Sequence, residues 1–143
     1  MMKKSNKKGF TLVELIVVIA IMAILAAVLV PTVTSKIKDA NDSAAKSDCS
    51  GMMSTVQSAL TSYLSDPKDA TKVSAQLGNA FTAAALPASG AMPTDKGTYV
   101  YGTETQGFVI FTVNGSIKYY GSVDKDGKTA GPSTTEITAL PNA

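Results

Sequence analysis

The chain has 143 residues, 45% of them hydrophobic and 17% charged, which suits one folded domain of ordinary size rather than a disordered segment. Thirteen lysines face eleven acidic residues with no arginine, so the formal charge of +2 rests on lysine alone. With no histidine, a single cysteine (Cys49), and no Walker loop, GxGxxG or paired-cysteine metal spacing, the sequence argues against an enzyme, and no catalytic residue, cofactor or metal is expected.

Four of the lysines, Lys3, Lys4, Lys7 and Lys8, fall in the first eight residues. Without that segment nine lysines face eleven acids, a formal charge of −2, and such a chain offers no general nucleic-acid-binding surface. From residue 15 to residue 30 only Leu, Ile, Val, Ala and Met occur, and the apolar character reaches back through Val13 and Leu12 to Phe10. As a helix, residues 10–30 would measure roughly 31 Å, about the thickness of a bilayer's hydrocarbon core. The lysine cluster before it predicts a cytoplasmic N-terminus, with the remainder outside.

A secretory signal peptide would have a shorter apolar run and a small-residue cleavage site after it. A plain single-pass anchor fits the length and the lysines but leaves Glu14 unexplained. An acidic side chain at the middle of a membrane helix costs roughly 2.5–3.5 kcal/mol. Glu14 is shallower, about 6 Å of helix beyond Phe10, so it either snorkels to the interface or awaits a partner charge.

The run Gly9-Phe10-Thr11-Leu12-Val13-Glu14-Leu15-Ile16, followed by the apolar stretch to Val30 and then Pro31, resembles the leader junction and N-terminal helix of type IV prepilins and related pseudopilins. The resemblance covers about the first third of the chain. It implies a leader of residues 1–9, cleavage between Gly9 and Phe10 by a prepilin peptidase that also methylates the new N-terminal Phe10, and a glutamate, Glu14, at the fifth mature position. Pro31 falls where many pilins have a helix-bending proline. The implied partners are other copies of the chain in a helical filament, the peptidase/methyltransferase, an inner-membrane assembly platform, minor pilins, and membrane lipid before assembly. The implied route runs from the cytoplasmic membrane to an extracellular pilus.

The physical chemistry runs in parallel. Cleavage would convert the Phe10 amide nitrogen into an amine whose reference pKa of about 7.7–8.0 leaves it largely protonated near neutrality. That cation could pair with Glu14 of a neighbouring subunit, or with Glu14 of its own chain, since i and i+4 share a helix face. Pro31 reads either as a helix end at the membrane edge or as a softened point in a continuing helix.

Beyond Pro31, residues 31–65 read as an amphipathic helix with an apolar stripe of Val33, Ile37, Ala40, Ala44, Met52, Val56, Ala59, Leu60 and Tyr63. Asp66-Pro67 supplies the stop. A helix over residues 10–65 would be roughly 84 Å long, so its hydrophobic first half is expected to project from a folded head. Gly51 weakens it by about 1 kcal/mol relative to alanine, and nearby Cys49 reads as a small buried hydrophobe.

Residues 66–97 read as a connecting segment with short helices over 71–77 and around 80–86. Residues 98–143 hold the strand signals: 98–101, 108–113 and 116–123, with a fourth strand within 134–140. Asn114-Gly115 signals a type I′ hairpin and also opens a glycosylation sequon. Asp124-Lys125-Asp126-Gly127 reads as a turn and as an incomplete calcium loop, lacking the third acidic ligand and distal glutamate. The paired cysteines of many pilins are absent.

The expected fold is therefore α+β: a long N-terminal helix whose amphipathic second half packs on a C-terminal antiparallel sheet of three to four strands. The expected function is a structural type IV pilin, the major subunit of its filament. The alternatives are a pseudopilin of a type II secretion or DNA-uptake machine and, from another class, a monomeric membrane-anchored binding module.

Overall fold

The computed structural model describes residues 9–65, 71–83, 85–88 and 90–142. Lys3, Lys4, Lys7, Lys8 and the Asp66-Pro67 stop lie outside these residues. The chain divides into two compact units, Met1–Asp39 and Ala40–Ala143, and one helix, α1 (Leu12–Ser65), contributes to both.

In the first unit α1 is apolar on every side from residue 15 to residue 30. The consecutive residues Leu15, Ile16, Val17, Val18 and Ile19 span more than a full turn, yet each is about half exposed. A helix apolar all round is stable only when lipid or other protein covers it, and this one is long and apolar enough to cross a membrane. Pro31 lies inside α1, so of its two readings the continuing helix holds. Its ring removes one backbone donor to the carbonyl of Ala27. Just beyond it, two hydroxyls bond back to the chain: Thr32 Oγ1 donates to the Val28 carbonyl at 2.9 Å, and Thr34 Oγ1 to those of Val30 and Pro31 at 3.1 and 3.0 Å.

In the second unit α1 packs on a five-stranded sheet. Its buried face is Ala45, Cys49, Met53, Val56, Ala59 and Leu60. Of the expected stripe Val56, Ala59 and Leu60 are buried and Met52 and Tyr63 half-buried, whereas Val33, Ile37, Ala40 and Ala44 are exposed, and the buried row before Val56 is Ala45, Cys49 and Met53, with Ala45 and Met53 each one residue on from the expected Ala44 and Met52. The segment is rich in Ala and Ser, whose small side chains leave the helical phase weakly marked, so the sheet surface decides it. Gly121 supplies the space that Met53 and Cys49 fill.

Helix α2 (Thr71–Leu77) forms where expected. A 3₁₀ turn, Gly78–Ala80, then leads into β1 (Phe81–Ala83), correcting the helix expected over 80–86. Gly78, at φ 53°, redirects the chain, and pairing with a neighbouring strand overrides alanine's helical preference. The remaining strands are β2 (Gly97–Thr103), β3 (Gly107–Asn114), β4 (Ile117–Val123) and β5 (Thr129–Ser133), in the order β1-β2-β3-β4-β5. β1 lies parallel to β2 and all other pairs are antiparallel. The sheet thus has five strands, not three to four. The last is β5 rather than a strand within 134–140, because an edge strand tolerates the Pro132 that reads as a breaker in sequence.

The β3–β4 hairpin forms with a different turn from the one expected. Asn114 pairs with Ile117, so the turn residues are Gly115 and Ser116, and only Gly115 has positive φ, at 66°. That combination is the type II′ pattern, with glycine first.

Both faces of the sheet are covered. The inner core joins Val100, Phe108, Ile110, Tyr119 and Val123 to the buried face of α1 and to Val73 and Leu77 of α2. On the outer face Tyr101, Phe111, Val113 and Tyr120 cluster with Met92, while Leu86 and Ile137 from flanking loops pack against them. The rings of directly paired Tyr99, Phe111 and Tyr120 form a cross-strand row with centroids 6.3 and 5.0 Å apart. β3, at the centre, is buried at each of its first seven positions.

Three polar ties fix the helix to the sheet's two ends. At one end Asn114 Nδ2 donates to the Asn41 carbonyl at 3.3 Å, and the Tyr119 hydroxyl meets both Asp42 carboxylate oxygens at 3.2 Å. At the other, Gln57 Nε2 donates to the Gly127 carbonyl at 2.8 Å.

Candidate processing and assembly site

Gly9 and Phe10 precede α1 in irregular backbone, and Phe10 is 88% exposed. A Cβ built on Gly9 meets nothing within 4 Å, and Gly9 has no left-handed φ. The chain's own fold therefore makes no demand for glycine there. A requirement for it would have to come from a partner that reads the extended segment.

Thr11 and Glu14 form a reciprocal cap on the start of α1. Thr11 N–H donates to Glu14 Oε2 at 2.9 Å, and Thr11 Oγ1 donates to the same oxygen at 2.8 Å. In return Glu14 N–H lies 3.3 Å from Thr11 Oγ1. The first intrahelical bond runs from Leu15 N–H to the Thr11 carbonyl at 3.3 Å. This is a capping box, Thr-x-x-Glu, in which two otherwise orphaned N–H groups at the helix start are satisfied by side chains. The carboxylate also sits at the positive end of the helix dipole. Both side-chain bonds go to Oε2; neither engages Oε1.

The structure thus brings Glu14 together with Thr11, a residue the sequence reading did not single out. The signal was there, since Ser/Thr-x-x-Glu/Gln directly before an apolar run marks a helix start. Phe10, whose nitrogen is here an amide, is not among the hydrogen-bond partners of Glu14. Pro31 lies roughly 26 Å further along the same helix and belongs to no common cluster with them.

The other residues weighed in the sequence are occupied structurally. Cys49 is fully buried, and burial pushes its thiol up to about 11, against the opposing pull of a hydrogen bond with Thr112. Asp124 Oδ1 accepts the backbone N–H groups of Asp126 and Lys128 at 3.0 and 2.8 Å, holding its own turn. Asp126 pairs with Lys125 Nζ at 2.8 Å on the surface, and this pairing raises the Lys125 ammonium above its usual value. Asn114 ties the hairpin to α1.

Residues 4–30 match the family model of the prokaryotic N-terminal methylation motif. The chain is 38% identical over 72 residues to the ComG operon protein 3 homolog of Bacillus licheniformis, covering half of this chain and 70% of that protein. Over 72 residues it is 35% identical to the competence protein ComGC of Bacillus subtilis, again half of this chain and 69% of the relative. It is 65% identical over 37 residues to the type IV wide pilus major component PilA4 of Thermus thermophilus, a match covering 26% of this chain and 28% of that one. No solved structure matches significantly.

Proposed function

The chain belongs to the type IV pilin-like proteins, and from that premise we propose that it is a structural subunit, cut after Gly9 and polymerised through α1 into an extracellular filament as its main component. The observation that carries this reading is a carboxylate held at the mouth of a helix whose apolar side chains are exposed on every side. Lipid covers that surface in the precursor, and identical helices cover it in the filament, where burial is worth about 25 cal/mol per Å².

Hydrolysis of the Gly9-Phe10 bond leaves a carboxylate on Gly9 and an amine on Phe10, which a methyl donor then modifies. The amine is largely protonated near neutral pH. In a helix bundle of low dielectric its attraction to Glu14 of an adjacent subunit is strong, and a subunit without the pair carries an isolated charge. Until that partner arrives, Thr11 supplies Glu14 with two donors. Assembly then needs a rearrangement of one side chain, or use of the second carboxylate oxygen, rather than desolvation of a bare charge.

A second reading, a subunit of a competence filament, is favoured by the two matches that run over 72 residues. Intact mass and sheared filaments test both. A chain beginning at methylated Phe10 supports the filament class, and an uncut chain defeats it. If this chain is the bulk of long sheared filaments, the pilus reading stands. If its loss abolishes DNA uptake while long filaments persist without it, the competence reading replaces it.

A further inference from the structure

We infer that Pro141-Asn142 is a non-covalent clasp that locks two separate turns of the sheet together and holds a strap over its outer face. The turns in question join β2 to β3 and β4 to β5. Antiparallel pairing places both at the same end of the sheet, yet they belong to different hairpins connected only through the β3–β4 ladder.

Asn142 bridges them with one residue. Its N–H donates to the Gln106 carbonyl in the first turn at 3.0 Å, and its side-chain Oδ1 accepts the Lys125 N–H of the second at 2.9 Å. Pro141 positions it. A Cβ on Gly107 would lie 3.2 Å from the Pro141 ring and 2.6 Å from the Val123 carbonyl, so this glycine, at φ 79°, lets the tail and β4 close on the same point. The fixed φ of proline limits the number of conformations from which Asn142 must be recovered.

Upstream, Ile137 packs against the outer cluster of Tyr101, Phe111, Val113 and Tyr120. Residues 134–140 form no strand and have no ladder of their own to hold them. A segment without ladder bonds opens readily unless something else ties it down. The chain's one cysteine is buried under the other face, so the tie here is made of two hydrogen bonds and a proline contact.

The clasp is tested by hydrogen–deuterium exchange on the full-length chain in detergent micelles, comparing the parent with Asn142→Ala and with a chain ended after Pro141. Asn142→Ala retains the backbone bond to Gln106 and should accelerate exchange at Lys125 by about tenfold, with little change at residue 107. Ending the chain after Pro141 should accelerate both turns and open the outer face to cleavage after Tyr99 or Tyr101 by chymotrypsin. Exchange in β3 should stay at the parent rate in both variants. Parent-like exchange of Lys125 in Asn142→Ala would overturn the clasp, as would equal acceleration of the turns and β3, which would mean a general loss of stability. Should the shortened chain fail to fold, Asn142→Ala alone decides.

Discussion

Gly121 of β4 lies directly beneath Met53 of α1: a Cβ built on it would stand 2.9 Å from Met53 Cγ and 3.3 Å from Cys49 Sγ. The contact sets the phase of the helix on the sheet. Row 45-49-53 is buried because a strand without a side chain at this point lets α1 approach. Gly121→Ala should therefore destabilise the second unit by about 1–3 kcal/mol through overpacking. Denaturant unfolding of the full-length chain in micelles, followed by tyrosine fluorescence, measures this. Met53→Ala in the same chain should recover part of the loss; additive losses would show that the two side chains do not compete for this space.

The Cys49 thiol makes stability fall in alkali. Its folded pKa is raised to about 11 from an ordinary 9.0. Between these values the folded chain keeps a proton that the unfolded chain has released, so rising pH favours unfolding by about 1.4 kcal/mol per unit. Below pH 9 the group has no effect. Comparing the parent with Cys49→Ala removes the shared titration of the tyrosines: the parent should lose stability faster from pH 9 upward, and parallel curves would refute the assignment. The folded thiol should also resist alkylation at pH 8 and react once denaturant is added.

Gly9→Ala separates the chain's own needs from those of a partner. With open space around the Cβ position, the substitution should leave amide exchange of residues 12–15 unchanged. If a peptidase reads this glycine, the substituted chain should nevertheless accumulate at full-length mass in the membrane. Normal processing would mean that the cut does not depend on Gly9.

The sequence exposes the parts of this molecule where chemistry is concentrated and hides those where packing decides. Glu14 and Pro31 stand out because a carboxylate and a proline are conspicuous in an apolar run, and Gly9 and Phe10 stand out only through the family resemblance of their junction. Three strands are legible in the β-branched and aromatic runs of β2, β3 and β4. The edges are not: β1 is three residues, Phe81-Thr82-Ala83, set in an alanine-rich run that suggests helix, and β5 contains Gly131-Pro132, which suggests a turn. Both exist because an adjacent strand offers hydrogen bonds, information no local window contains. The hairpin turn moves by one residue for a related reason. Asn114 is held in the ladder opposite Ile117 and drawn to Asn41, which leaves Gly115 to take the positive φ.

Glu14 caps α1, and the proposed function gives it a second role in an intersubunit pair; one substitution separates the two. As a cap it needs only an acceptor for Thr11 N–H and Oγ1, which a glutamine carbonyl also supplies, since Glu and Gln both serve in capping boxes. As half of an intersubunit pair it needs a charge. Glu14→Gln should keep slow amide exchange at the start of α1 and normal cleavage, yet reduce filament yield nearly as far as Glu14→Ala does. Thr11→Val gives the converse: the charge remains, one donor to Oε2 is lost, and helix-start protection falls by a factor corresponding to about 1 kcal/mol. Filament yields are read by shearing cells and weighing the recovered chain against the membrane pool. A normal yield from Glu14→Gln would sink the charge pair and leave the cap as the whole reason for the glutamate. A yield lost in Thr11→Val but kept in Glu14→Gln would assign assembly to the order of the helix start rather than to its charge.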